Sequence, residues 1–525
     1  MVTRISSMFT RQSIIQKTLQ VGKFTLLSRL LGLIRDLIQA RFLGASALSD
    51  AFFTAWKVPN SLRKIFAEGA LSAAFVPTIV QRVRSEGRQA IGSMMFLGFL
   101  FFEGMVLLLT AVAIQHADAF IRLIAPGFSP EQIASGAIYL RILMPFIFLI
   151  STSALLAGAL QAVGHFFVSA IGPVLLNIMY ITGLIVCMTF KLPVEWLCWF
   201  IMAGGVIQLL AHIIAYLSLQ FRFCAIAWAD VKQFLPILSK FVLCFLSMSV
   251  MEIGLFIDTS FGSLLSKGSV SLIYYANRWM GIPLGVLAIA FSTILLPHFS
   301  RVSSYAPKRL GFYLLEATKL VWWMMLPITM FMMIISHQIF ETIYLSSKFS
   351  MAQVHEASGL LVIFLCGLFF FSINKILLNV YYALHHTLIP GLVAVFAVTC
   401  NTVLNWVLID LFKAGGLVVA TVIAGIIQTF FLFLILYTFF GLPLYISNLL
   451  RFMSRSFVQT IVVGVPFLGL YYLAWYGITL LPATMGVLFL HKLGFWFWFG
   501  PLAGAYMVVL YRTNRWFGIR LLFLE

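Results

Sequence analysis

Apolar runs of twenty or more residues, interrupted by short clusters of proline, glycine and charge, make up most of this chain. A helix needs ~20 apolar residues to cross the hydrocarbon core of a bilayer. Punctuated in this way, the hydropathy predicts fourteen helices, near 21–44, 48–79, 90–115, 131–160, 168–190, 195–219, 234–264, 270–300, 309–337, 352–384, 388–410, 414–440, 452–479 and 490–512. Several are longer than a straight crossing requires, so they tilt or extend beyond the membrane. The fold class expected is all-α, a polytopic membrane protein with 14 transmembrane helices.

A weak internal repeat organises them. The second helix ends GALSAAFVP at Pro77 and the eighth ends AIAFSTILLP at Pro297, 220 positions later, while Lys23 and Lys240 stand at a similar separation. Six helices per copy is an even number, so the two copies insert in the same orientation, related by an axis along the membrane normal. This predicts an N-lobe at 1–220, a C-lobe at 221–445, a cavity between the two bundles, and two further helices at 446–525. The aromatic clusters of those last helices, Tyr471, Tyr472, Trp475 and Tyr476, then Phe495 to Trp498, suit an interfacial belt or a groove for lipid tails.

Composition agrees with the membrane reading. Of 525 residues, 62% are hydrophobic and 10% charged, with a mean hydropathy of +1.04, more apolar surface than a soluble domain can hide. A net charge of +18 would suggest nucleic acid in a soluble protein, but here its distribution is topological. Eighteen Lys and Arg fall in one set of alternate loops and the terminal segments, whereas the opposite loops hold Arg122, Lys191, Lys267, Lys348 and Lys413. That asymmetry puts both termini in the cytoplasm and leaves no case for a nucleic-acid partner. The basic N-terminus runs into the first apolar segment without a small-residue cleavage site, so no removable signal peptide is expected. Six cysteines scattered in apolar runs read as small buried hydrophobes.

Against this background 28–77 is anomalous, because Arg29, Arg35, Arg41, Lys57, Arg63 and Lys64 stand there with only Asp36, Asp50 and Glu68. An ionised group at mid-membrane costs ~2.5–3.5 kcal/mol or more, so such groups persist mainly where they face water. Ser28 and Arg35, like Arg29 and Asp36, are seven apart and share a helix face, as do Lys57 and Lys64. The alternative is that cations near helix ends snorkel to headgroups, which suits Arg41, Arg63 and Lys64 better than Arg35, about a dozen residues into its helix. In the second half Arg278 is the matching cation, and Glu252, Asp258, Asn401, Asn405 and Thr421 offer oxygens that could hold a sodium ion or proton, or simply bond helix to helix. No Walker A, HExxH, GxSxG or CxxC sequence is present, so no enzyme is expected, and work must come from an ion gradient, the membrane potential or the substrate gradient.

SRLLGLIRD at 28–36, SDAFFTAWKVPNSLRKIFAEGALSAAFVP at 49–77, APGF at 125–128, GPVLLNI at 172–178 and the stretch 268–297 resemble the MurJ (MviN) family of lipid II flippases. That family belongs to a superfamily with multidrug and toxin extruders and polysaccharide flippases. The resemblance spans essentially the whole chain. It implies a monomeric transporter in the bacterial cytoplasmic (inner) membrane, moving undecaprenyl-diphosphate-linked disaccharide-pentapeptide outward by alternating access, with membrane lipids in a groove of the last two helices. It also implies substrate-binding roles for Arg29, Arg35, Arg63 and Arg278, with Ser28 beside them and Asp36, Asp50 and Glu68 as motif carboxylates. A sodium site found in part of the family would fall on Asp258, Asn401, Asn405, Thr421 and the Leu417 carbonyl. Asn405 stands there in place of a carboxylate, and Asn277 and Gly281 replace acids that flank the eighth-helix arginine in many relatives. No cofactor other than sodium is implied.

Chemistry points the same way, since guanidinium groups match a diphosphate with planar paired donors. A cation-coupled drug extruder of the same fold would call for an acidic, aromatic cavity, and a membrane-embedded transferase would need an acid, base or metal cluster. The orientation has a direct check. In a cysteine-free background, single cysteines near Arg84 and Arg309 should be shielded from impermeant thiol reagents in intact cells and one near Lys348 should react; the opposite pattern inverts the topology.

Overall fold

The computed structural model describes residues 11–66, 71–87, 91–221, 224, 226, 228–306 and 309–523. It is nearly all helical, with 86% helix and no strand among the described residues. The helices form two compact units, residues 1–268 and 269–525.

In the first unit the helices are α1 (Arg11–Leu43), α2 (Ala47–Arg63), α3 (Leu71–Glu86), α4 (Gly92–Gly98), α5 (Gly104–Gln115), α6 (Ala117–Ile124), α7 (Pro130–Leu143), α8 (Phe146–Ala162), α9 (Phe167–Phe190), α10 (Val194–Ser218) and α11 (Trp228–Ser263). A π-helical turn, Phe99–Glu103, joins α4 to α5. Helix α1 packs on α9, α9 on α10, α2 on α7 and α3 on α8. Helix α11, expected at the start of the second lobe, packs on α3, α4 and α6 of this unit.

The second unit continues with α12 (Ser269–Pro283), a π-turn Leu284–Ile289, α13 (Ala290–Tyr305), α14 (Leu310–Ile334), α15 (Ser336–Tyr344), α16 (Met351–Cys366), α17 (Leu368–Ala383), α18 (Leu388–Phe412), α19 (Ala414–Thr438), α20 (Ile446–Thr479), α21 (Ala483–His491) and α22 (Phe495–Thr513). Here α12 packs on α16, α13 on α17 and α18 on α19, which repeats the α2–α7, α3–α8 and α9–α10 pairings of the first unit. The repeat extends to the helix caps. Ser129 and Gln132 close a reciprocal capping box at the start of α7, and Ser350 and Gln353 close the same box at α16. In each box two otherwise orphaned donors at the helix start are satisfied.

Several predicted helices are broken. The one near 131–160 turns at Met144 and Pro145 between α7 and α8, because proline has no N–H to continue the ladder. The one near 352–384 bends by 44° between α16 and α17, and the last pair, α21 and α22, bends by 52°. At the first bend a Cβ on Gly367 would lie 2.6 Å from the Phe371 ring, so no side chain fits there without displacing it. Among the described residues ten helices are long and apolar enough to span a membrane, or twelve with the two bent pairs. Helix α1 falls outside that number because of its charges, and α2 and α3, of 17 and 16 residues, because each is short. The expected fourteen counts them as two further spans.

Helices α20 and α22 pack on each other, and α20 on α14. A core of Leu320, Trp323, Phe452, Val463, Tyr506 and Leu510 joins them. Inside it the Gln459 amide donates to Leu510 O at 2.7 Å, Thr513 Oγ1 at 2.9 Å and Asn514 Oδ1 at 3.0 Å, and Trp323 Nε1 donates to the same Asn514 oxygen at 3.0 Å. Gln459→Leu should therefore take one donor away from each of the Leu510, Thr513 and Asn514 oxygens, costing about 1–3 kcal/mol. A lowered melting temperature of the purified protein is the readout.

Candidate functional site

Arg35 is the centre of a polar cluster in the first unit that joins α1 to α9. Its Nε and Nη2 donate to Asp36 Oδ1 at 3.0 and 2.7 Å, and its Nη1 donates to Asn177 Oδ1 of α9 at 3.0 Å. The guanidinium carbon lies 5.0 Å from the centre of the Tyr180 ring, within range of a cation–π attraction. Asn177 is fixed in turn, its amide donating to Ser28 O at 3.0 Å and Ser28 Oγ at 3.2 Å. Tyr180 donates to Gln39 Oε1 at 3.0 Å. Asp36 is only 1% exposed, so its charge is tolerated through this pairing. Two turns of α1 and one face of α9 thus hold a single guanidinium in one orientation. Ser28, expected beside the arginine from the seven-residue spacing, reaches it through Asn177.

The remaining cations of the stretch divide. Lys57, Ser61 and Lys64 lie on one face of the second predicted helix and meet α11. Lys57 Nζ donates to Leu255 O at 3.3 Å and to Thr259 Oγ1. Ser61 Oγ donates to Glu252, and Lys64 Nζ lies 3.1 Å from Glu252 Oε1. Glu252, expected to offer an oxygen to an ion, is a partner of α2 here. Arg63 turns back on its own helix, donating from Nε and Nη2 to Asn60 Oδ1 at 3.2 and 3.1 Å. Arg29 is exposed on α1. Glu68 lies outside the described residues.

Asp50 has a separate role. It sits in the first turn of α2, just past the Ser46 cap, where the helix dipole favours an anion. It is 2% exposed, and its Oδ2 accepts from the Gly268 N–H at 2.6 Å. Gly268 has φ +96°, and a Cβ there would lie 2.7 Å from Ala45 O, so glycine is required on both counts. Nearby, Gly127 N–H donates to Ser263 Oγ at 3.0 Å, and a Cβ on Gly127 would stand 2.4 Å from Ser263 O. These contacts clasp the α1–α2, α6–α7 and post-α11 loops around a hollow of about 290 Å³ whose lining includes Asp50, Gln132, Ser263 and Lys267. Asp50 belongs to this clasp and Arg35 to the α1–α9 cluster. A larger open concavity, about 610 Å³ along Val76, Pro77, Val80, Gln81, Arg84 and Ser85, contains none of the anticipated site residues.

Arg278 is exposed on α12 of the second unit. The sodium candidates are divided in the chain between Asp258 of α11 and Asn401, Asn405, Leu417 and Thr421 of α18 and α19. Asn401 and Asn405 are both buried. The Leu417 carbonyl accepts the Thr421 hydroxyl at 2.9 Å. Among the described residues no group of three or more His, Cys, Asp or Glu side chains is arranged to hold a metal ion. All six cysteines are free thiols.

A model of the family described as "Lipid II flippase MurJ" matches residues 39–490. This chain belongs to the MurJ family. A relative from Buchnera aphidicola subsp. Acyrthosiphon pisum, "Probable lipid II flippase MurJ", is 32% identical over 77% of this chain and 80% of its own length. A solved "Lipid II flippase MurJ, inward closed conformation" superposes with a TM-score of 0.74 at 25% identity, covering 94% of this chain and 98% of that one. An inward-facing multidrug resistance MATE transporter of the MOP superfamily shares the fold at 15% identity, with a TM-score of 0.65 over 76% of this chain and 92% of that one. Multi-pass insertion in the inner membrane follows from the family and the apolar helices.

Two residues of the Arg35 cluster were not singled out from sequence. Asn177 lies inside the MurJ-like GPVLLNI motif, and Tyr180 follows one helical turn later, the spacing that puts both on one face. For the clasp, Asp50→Ala removes a buried charge-assisted bond and a dipole partner, and should cost about 1.5–3 kcal/mol. Asp50→Asn should cost less. The check is thermal unfolding of both variants in detergent, where equal melting temperatures for all three proteins would remove the clasp.

Proposed function

We propose that this chain is a lipid II flippase, translocating the undecaprenyl-diphosphate-linked disaccharide-pentapeptide from the cytoplasmic to the outer leaflet by alternating access. Family membership supplies the substrate class. The observation that carries the chemistry is the guanidinium of Arg35, oriented inside the first unit by Asp36, Asn177 and Tyr180. A diphosphate offers several charged oxygens to planar paired donors. It competes well with the Asn177 amide, a neutral partner, and less well with the Asp36 carboxylate. Asp36 therefore fixes the side chain, and Asn177 holds the edge that the substrate takes over. Arg29, Arg63 and Arg278 are the further cationic ligands of this reading. The protein carries its substrate unchanged, so it is a transporter and no enzyme.

The same reading takes the chain as a fourteen-helix protein, with both termini cytoplasmic, acting as a monomer. It assigns lobes at 1–220 and 221–445, with lipid tails on 446–525. It takes the membrane potential as driver, because moving one charge through 100 mV is worth ~2.3 kcal/mol and a net-positive site responds to it. Asn405 leaves the sodium set of Asp258, Asn401, Leu417 and Thr421 one carboxylate short.

Flipping of lipid II in proteoliposomes tests this. Arg35→Ala and Arg278→Ala should each abolish transport in folded, inserted protein, and lysine at either position should restore only part of it, since it lacks the paired geometry. Full activity of both alanine variants would sink the assignment. Replacing sodium by choline at constant potential should leave the rate unchanged, whereas collapsing the potential should slow it. Loss of activity in choline would restore the sodium site.

A further inference from the structure

Within the span Gly92–Gln115 an 18-residue window has a mean hydropathy of 2.3, and the span has one ionisable side chain, Glu103, at its twelfth position of 24. At 1.5 Å per residue the carboxyl is about 17 Å from either end of the span. It is 1% exposed. Ser151 of α8 donates to Oε1 at 2.8 Å, Oε2 has no hydrogen-bond partner, and the other polar group facing it is the Thr152 hydroxyl. Of the elements packed on this turn, α4, α5 and α8 contain no other acidic or basic residue; α11 and α3, which meet Phe102, carry theirs at Asp230, Lys232, Lys240, Glu252 and Asp258 and at Arg82, Arg84 and Glu86, and none of these acts on the carboxyl. Beside it Phe102 packs on Phe234 and Phe241 of α11, with ring centres at 5.7 and 4.7 Å. Every other buried acid described above has a cation or a backbone N–H. This one has a hydroxyl and aromatic rings.

The backbone is unusual at the same place. Glu103 closes the π-turn Phe99–Glu103, flanked by Gly98 and Gly104, and such turns inside α-helices are frequently functional. The turn brings Phe102 and Glu103, adjacent in sequence, both into the packed interior. It also touches α3, the helix that follows α2 and its cations, since Phe102 lies 6.0 Å from Phe75 of α3 and a Cβ on Gly98 would stand 2.8 Å from the Phe75 ring.

We propose that Glu103 is a proton-binding site, occupied in this conformation, whose loading and release are coupled to transport. An uncompensated carboxylate at this depth is disfavoured, while the neutral acid needs no counter-ion. On loading, the carboxylate takes a proton from water, one O–H bond forms on the carboxyl, and the buried charge disappears. Release needs water to reach the turn, which requires the α3, α8 and α11 side chains to part. Proton occupancy is thereby tied to repacking among α3, α8 and α11, the last of which also holds Lys57, Ser61 and Lys64. The coupling rests on the flippase reading; the occupancy does not.

Infrared titration of the whole protein in lipid nanodiscs reads occupancy directly. At neutral pH the wild type should show the carbonyl stretch of a neutral carboxylic acid, and Glu103→Gln should lose it. Ser151→Ala removes a donor that favours the charged form, so its band should persist to higher pH than in the wild type. In proteoliposomes held at zero potential, an imposed pH gradient should change the wild-type flipping rate, and Glu103→Gln should lose that response. The proposal is overturned by absence of the band, by a band that survives in Glu103→Gln, by an unchanged midpoint in Ser151→Ala, or by a wild-type rate indifferent to the gradient. Wild-type protein that shows the band but flips no lipid II under any condition would instead overturn the flippase reading.

Discussion

An ion in hydrocarbon must be paired or wet, and most of what distinguishes this protein from a bundle of apolar helices follows from how it meets that constraint. Four buried acids of the first unit have four different solutions. Asp36 takes the guanidinium next to it, Asp50 a helix N-terminus and the Gly268 N–H, Glu252 a serine and a lysine of the neighbouring helix, and Glu103 only neutral hydroxyls. These are different physical states, although the sequence presents them all as acids in apolar surroundings. A fixed ion pair orients its arginine. An acid with only neutral neighbours is stable when it is not an ion.

The pattern of hydrophobic runs carried the fold class, because twenty apolar residues have few alternatives to a helix across a bilayer. It carried the repeat less well. The proline pair at 77 and 297 pointed to it, but the stronger sign was the S-x-x-Q capping box at Ser129 and again at Ser350, 221 positions on. Breaks were the least legible feature. A glycine such as Gly367 signals a bend only when the opposing ring, here Phe371, is known to occupy its missing side chain. The docking of α2 on α11 was also invisible, since it depends on matching Lys57, Ser61 and Lys64 to Glu252, Leu255 and Thr259 nearly two hundred positions away.

For the site, charge in the wrong solvent was a sound pointer to 28–77, and helical spacing placed Ser28 and Arg35 on one face. It gave no means of separating the acids. Asp36 and Asp50 look alike in a motif, yet one orients the arginine and the other clasps three loops. Asn177 and Tyr180 escaped notice because an amide and a phenol in an apolar helix are ordinary residues, given meaning only by the α1–α9 contact.

The central claim is that Arg35 recognises a diphosphate through the edge that Asn177 holds ready. The measurement closest to it is equilibrium binding of an undecaprenyl diphosphate and its monophosphate counterpart to wild type and Asn177→Ala, at one salt concentration in lipid nanodiscs. If the account is right, the wild type prefers the diphosphate by about tenfold or more, some 1.4 kcal/mol, and Asn177→Ala loses most of that preference while keeping a folded, inserted protein. A wild type that binds both lipids equally, or an Asn177→Ala variant that discriminates as well as the wild type, would contradict it.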